Sequence, residues 1–198
     1  MIRLLILLLA LASPLRAEDL PALHAVTGVA ANDVLNIRER PDAGSPIIGT
    51  LAPDATGVEV IATSGAWALV NTDEGSGYAA LRYLAREPGP AWSALQTPIT
   101  CIGTEPFWSL EIDPQAGETR YRTPEGEGPR VAPLATVWPG LPWAPSAAVG
   151  LEEGLAVMQP QECSDGMSDR RYGIAVDIFR SGPGGAERLS GCCSLGLR

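Results

Sequence analysis

The chain has 198 residues and a formal net charge of −9, from 23 acidic residues against 14 basic ones, every one of them arginine. Without a basic cluster it lacks the phosphate-neutralising charge on which nucleic-acid affinity is built, and the same field repels an anionic membrane surface. Nucleic acid is therefore excluded as an expected partner, and the acidity reads first as a means of solubility.

The chain opens with MIRLLILLLALASPLRA, residues 1–17. Arg3 and the free amine precede nine apolar residues, Leu4 to Ala12, and Pro14 with small residues follows. That is the layout of an export signal, with cleavage expected after Ala17. Loss of Arg3 and Arg16 takes the 14 basic residues to 12 and the charge from −9 to −11. No later stretch approaches the ~20 apolar residues of a membrane-spanning helix, so the mature protein is expected to be free in the periplasm or secreted, with no membrane span.

Residues 22–86 alternate at the strand period, as in Val58 and Val60 or Trp67 and Leu69, with glycine and proline between the runs. The single histidine, His24, precedes the first expected barrel strand, so a Ser-His-Asp arrangement finds no base in the body of the chain. Trp67, alternating with Leu69 on one strand face, is expected to fill the centre of a small barrel, with a place on a binding surface as the alternative. Tyr78 and Tyr83 are the expected surface rings, because a phenol tolerates a wet edge, and Arg38 belongs to a charged loop with Glu39, Arg40 and Asp42 that is expected to be solvated. Leu35-Asn36-Ile37-Arg38, Pro41, Ile48-Gly49-Thr50-Leu51, Gly57-Val58-Glu59-Val60, Trp67, Val70, Gly77 and Tyr83-Leu84 follow in order. In these motifs residues 33–84 resemble the bacterial SH3-like domains. The closing motif differs, with Gly77-Tyr78-Ala79 where the family has G-W-V. The resemblance implies a binding module without chemistry of its own, for cell-wall peptides, glycans or envelope proteins. Tyr78, Tyr83 and Arg38 are its candidate ligand residues.

Residues 87–96 are rich in proline and read as a linker, and residues 97–198 as a second β-rich domain, barrel-like and tied by disulfides. Tyr172, Ile174, Val176 and Ile178 mark its clearest strand, and SGPGGAER at 181–188 reads as a hairpin turn. The expected class is all-β throughout. Cys101, Cys163, Cys192 and Cys193 form an even set in an exported chain, which reads as disulfides. Neighbouring Cα atoms at ~3.8 Å are too close for a Cys192–Cys193 bridge, which leaves two arrangements, each tying Cys101 and Cys163 to the adjacent pair. Chain entropy assigns such loops roughly 3.5–4.7 kcal/mol. Structural zinc sites bring ligands in close pairs, and these spacings lack a second pair, so no metal is expected.

CIGTEPFWSLEI at 101–112, CSDGMSDRRYGIAVDI at 163–178 and LSGCC at 189–193 carry G-x-E-P-F-W and C-x-D-G-M-S-D-x-x-Y motifs. In these the second domain resembles a family of small exported or lipoprotein domains of uncharacterised function, which implies no activity. Glu105 beside Phe107 and Trp108 is expected to satisfy backbone donors or an arginine such as Arg171. Asp165 and Asp169 around Gly166 are expected to close a turn, with Cys163 as its staple and Tyr172 beginning the next strand. Asp-x3-Asp supplies too few oxygens for calcium, and no cofactor is expected. Glu105 with Asp165 or Asp169 is the set from which a carboxylate-based glycan hydrolase would be built. Trp138 and Trp143, in the proline-rich stretch 137–154, are expected either to cap an open sheet end or to form a docking patch. The function these readings favour is non-catalytic binding or adaptor work at the cell envelope. The alternatives are an inhibitor of a cell-wall hydrolase and the carboxylate hydrolase.

Overall fold

The computed structural model describes residues 19–182 and 185–196, so the expected export signal lies outside the described residues. Within them the chain forms two antiparallel sheets with two short 3-10 turns between strands, in keeping with the all-β expectation.

The first sheet has seven strands: β1 (Ala22–Val26), β2 (Leu35–Arg38), β3 (Ile47–Leu51), β4 (Val58–Ser64), β5 (Trp67–Asn71), β6 (Ser76–Ala80) and β7 (Leu84–Arg86). Their order is β3-β2-β6-β5-β4-β1-β7. His24 lies inside β1 rather than ahead of it, buried, with Nδ1 3.0 Å from the carbonyl oxygen of Ala22. Ser64 pairs with Trp67 across a two-residue loop that begins at Gly65, whose φ of +59° suits a tight hairpin and strains any other residue. The core is aliphatic: Ile37, Val58, Val60, Ala68, Val70 and Ala79 meet inside. On β5 the inward residues are therefore Ala68 and Val70, and Trp67 stands half-buried on the opposite face. The expectation that Trp67 fills the barrel centre is corrected here. Both faces of β5 are partly covered, so alternation located the strand but left its inward parity open.

The second sheet has nine strands: β8 (Ile99–Thr104), β9 (Phe107–Asp113), β10 (Glu118–Arg122), β11 (Arg130–Pro133), β12 (Val137–Trp138), β13 (Ala147–Leu151), β14 (Gly154–Cys163), β15 (Tyr172–Gly182) and β16 (Gly185–Leu195). The order β11-β10-β9-β8-β16-β15-β14-β13-β12 leaves β11 and β12 as edges, so the barrel-like domain is an open half-barrel. Curvature carries Arg180 of β15 over the ring of Tyr121 on β10, 4.9 Å to the centroid, though three strands lie between them. The inward face packs Trp108, Leu110 and Ile112 against Met158, Ile174 and Ile178. Trp92 and Leu95 join this core at 3% exposure each. The second half of the expected 87–96 linker is thus a plug for the half-barrel.

The crossed disulfides are Cys101–Cys193, closing 92 residues, and Cys163–Cys192, closing 29. Cys101 and Cys193 face each other in the β8–β16 register, so the first bridge staples adjacent strands within the core. The second fastens the end of β14 to β16 and holds the base of the segment 164–171.

That segment also joins the two domains. Gly75 forms a parallel bridge with Asp169. The Arg171 backbone N–H donates to Ser76 Oγ (2.7 Å) and Asn71 Oδ1 (3.2 Å), while Asn71 Nδ2 donates to the Arg171 carbonyl oxygen (2.9 Å). Nearby, β15 packs against β4, and a Cβ on Gly173 would stand 3.0 Å from Pro21. Arg171 pairs its guanidinium with Glu162, not with Glu105.

Candidate functional site

The outward face of the β5–β6 ribbon presents, in register, Trp67 with Ala80, Leu69 with Tyr78, and Asn71 with Ser76. Asn71 and Ser76 hold the second domain, and Leu69, the next residue on that face, is buried. Trp67 and Ala80, at the other end of the ribbon, line an open groove of about 440 Å³ together with Asn36, Arg38, Arg82 and Tyr83. Four residue steps separate the two ends, about 13 Å of strand, so domain docking leaves the groove uncovered. Arg82 lies over the Tyr83 ring at 4.6 Å from the centroid, and Arg38 Nη1 donates to the Ser45 carbonyl oxygen at 2.7 Å. Two rings and two guanidinium groups thus share one concave surface. Such a surface can stack against apolar or planar groups and accept a carboxylate. Of the residues singled out from sequence, Arg38 and Tyr83 are brought together here and Tyr78 is not, while Trp67 takes the binding-surface place that was the lesser of its two readings.

In the second domain the two distinctive motifs converge. Thr104 Oγ1, from the first, donates to the Asp165 carbonyl oxygen, from the second, at 2.8 Å. Two clefts share Ile102, Gly103, Thr104 and Asp165. One, of about 350 Å³, runs over the outward face of β14, β15 and β16 past the Cys163–Cys192 bridge. The other, of about 470 Å³, opens beside Phe107, Arg122 and Met167. Both fall within the roughly 300–1,000 Å³ of ordinary ligand pockets.

The three carboxylates considered for hydrolysis do not converge. Glu105 is exposed in the two-residue turn between β8 and β9, outside both clefts, so its expected role of satisfying buried donors is corrected. Asp169 lies at the domain junction. Asp165 alone lines the clefts, and its carboxylate accepts bonds from the Met167 N–H (3.0 Å), the Ser168 N–H (2.9 Å), the Ser168 hydroxyl (2.8 Å) and the Tyr172 hydroxyl (3.3 Å). Gly166 at φ +73° makes the turn that aims those amides inward. Burial works to raise the Asp165 pKa, but the Ser168 and Met167 amides and the two hydroxyls outweigh it, and the carboxyl is held below its usual range. A group so stabilised as an anion is a poor general acid.

The shift predicts a pH effect. A depressed folded-state pKa adds stability that is complete above the ordinary aspartate value of about 3.9 and is lost as pH falls through the lower folded value. Urea unfolding of wild type and Asp165→Asn should therefore give a stability gap at pH 7 that narrows steadily below about pH 4. A gap independent of pH would contradict this assignment.

Trp138, on edge strand β12, and Trp143, at 80% exposure, stand in solvent. They do not cap the sheet. The residues that sequence reasoning missed are Gln159, Gln161, Asp177, Arg188 and Ser190, which line the larger face of the first cleft. Their signal was the polar half of the alternation on β14 to β16, overlooked in favour of its apolar half.

A small antiparallel sheet with an aromatic and arginine groove is joined to a disulfide-tied half-barrel in which the three candidate carboxylates stand apart, and the groove has the form of a binding surface. Residues 33–85 match the family described as bacterial SH3 domain and form such a domain, to which β1 adds a strand between β4 and β7 from outside the matched segment. No family match supports the resemblance drawn for the second domain. No curated protein and no solved structure matches the chain. Among the described residues no helix is long and apolar enough to cross a membrane, and no cluster of histidine, cysteine or acidic residues could hold a metal.

Proposed function

We propose that this chain is a non-catalytic binding or adaptor protein of the bacterial cell envelope, whose SH3 domain holds a cell-wall peptide in the groove of Trp67, Tyr83, Arg38 and Arg82. The observation that carries the reading is the position of those four side chains. They share one open concavity on a bacterial SH3 domain, at the end of the β5–β6 ribbon away from the domain junction. Bacterial SH3 domains serve cell-wall binding in general, and a peptide with free carboxylates matches two guanidinium groups beside two rings. The two disulfides are compatible with an oxidising compartment, and the acidic body suits a freely diffusing periplasmic or secreted protein.

Co-sedimentation of the mature protein with purified sacculi tests this. Trp67→Ala truncates a central ring of the groove and should lower the apparent affinity roughly tenfold or more, because aromatic anchors carry about 2 kcal/mol or more of such contacts. Wild type that stays in the supernatant, or a Trp67→Ala variant that sediments equally well, would remove the proposal.

A second reading is supported by the exposure of Trp143 and Trp138 on a proline-braced loop of a disulfide-tied scaffold, the form of an inhibitor that presents a rigid loop to a wall hydrolase. Lysis rates unchanged by excess protein would dismiss it.

A further inference from the structure

On the outward face of the half-barrel, cross-strand register lines up Val157, Asp177 and Ser190, then Gln159, Ala175, Cys192 and Ile102. This strip forms the floor of the cleft that leads past the Cys163–Cys192 bridge to Phe107 and Met167. Its charges are spent on each other. Arg188 Nε and Nη2 donate to the two oxygens of Asp177 at 3.1 and 2.9 Å, and Ser190 Oγ donates to the same carboxylate at 2.7 Å. Asp165, at the far end, is saturated by its own turn.

What the floor offers a ligand is therefore uncharged. Gln159 and Gln161 are exposed and their amides have no side-chain partner among the described residues, so each presents two donors and an acceptor. At the other end of the path, in the adjoining cleft, Phe107 and Met167 stand 50% and 68% exposed and supply apolar surface. Arg122 lines the same end, and its guanidinium also has no partner among the described residues. Alternating hydroxyl-bearing edges and apolar faces are the chemistry of a sugar ring: hydroxyls and acetamido groups bond amide side chains, and the ring face lies on an aromatic surface. One uncommitted cation at the apolar end favours a sugar that carries a carboxylate over a fully neutral one.

We propose that the second domain binds a glycan strand of amino sugars, at least one of them carboxylate-bearing, laid across the sheet from Gln159 and Gln161 on β14, over β15, β16 and β8, to Phe107 on β9 and Arg122 on β10. The choice of a cell-wall glycan rests on the envelope reading above, but the site is separate from the SH3 groove. One chain would then hold the two chemical components of the wall, peptide and glycan, on different domains in fixed relation.

The test is titration of the full mature protein with peptide-free glycan strands prepared from sacculi, and with chitotetraose, followed by amide chemical shifts and calorimetry. The strands should perturb residues around Gln159, Gln161 and Phe107, and should bind more tightly than chitotetraose. Gln161→Ala combined with Phe107→Ala, both at exposed positions, should lower affinity about tenfold, the equivalent of ~1.4 kcal/mol, while Trp67→Ala leaves it unchanged. Arg122→Gln should abolish the preference over chitotetraose. Absence of perturbation by either glycan, perturbation confined to the Trp67 groove, or equal affinity in the double variant would overturn the proposal. The peptide reading would survive any of these if sacculi still sediment the protein through Trp67.

Discussion

Replacing Cys101 and Cys193 together with alanine should destabilise the second domain by about 4–5 kcal/mol, enough to unfold it or bring it close to unfolding at 37 °C. The bridge closes a segment of 92 residues, nearly the whole domain, and chain-entropy arithmetic gives ~4.6 kcal/mol for a loop of that length against ~3.6 kcal/mol for the 29 residues closed by Cys163–Cys192. Both sulfurs are fully buried between β8 and β16, so removal also leaves space among Leu110, Ile174 and their neighbours. The corresponding change at Cys163 and Cys192 should cost less and act differently, loosening the base of the segment that docks on Asn71 and Ser76. Urea unfolding followed by tryptophan fluorescence, with and without reductant, would measure both. Equal stability of the Cys101→Ala/Cys193→Ala variant and wild type would refute the assignment of this bridge as the main restraint on the half-barrel.

The second large effect is expected at Trp108. The indole lies across β8 and β16, where a Cβ on Gly103 would fall on its Nε1 and one on Gly191 would stand 2.8 Å from Cζ2. Gly103 pairs with Trp108 across the β8–β9 hairpin, so the two positions form one packing unit. Trp108→Ala should cost about 3–5 kcal/mol, the usual range for emptying an aromatic site in a core. Gly103→Ala should cost about 1–3 kcal/mol or more, because the ring must move out of a packed interior to admit a methyl group. The two losses should not add: with the ring gone the methyl group has room, so the double variant should be little worse than Trp108→Ala alone. A double-mutant cycle showing simple additivity would mean that the glycine is retained for another reason. Trp108→Phe should recover much of the loss, since Nε1 has no hydrogen-bond partner to sacrifice.

These two sites also indicate how far the sequence could be read. In the motif G-x-E-P-F-W the residue whose type suggests chemistry is Glu105. In three dimensions Glu105 projects from a hairpin tip, while Gly103 and Trp108 do the structural work. Spacing located the strands, since apolar alternation at Val58 and Val60 and along 172–178 is set by the two-residue repeat of extended backbone. It could not say which side of β5 faced inward. Trp67 and Leu69 satisfied the pattern as well as Ala68 and Val70 did, and only the packing of neighbouring strands selected the small residues for the interior. The linker reading of 87–96 likewise said nothing of Trp92 and Leu95, which pack into the second core, because proline content reports local backbone stiffness and carries no information about what lies beneath.

By itself the sequence determined the all-β class, the bacterial SH3 domain and the crossed use of four cysteines. Each of these depends on short-range rules: alternation, turn residues, and the reach of a disulfide between neighbours. The tertiary structure decided which crossed pairing forms, that the 164–171 segment docks on Asn71, Gly75 and Ser76 of the first domain, and that Gln159, Gln161, Phe107 and Arg122 line two adjoining clefts. Those outcomes depend on sheet curvature and strand order, which place residues tens of positions apart on one face, and no local pattern encodes where a strand's outward side will find its neighbours.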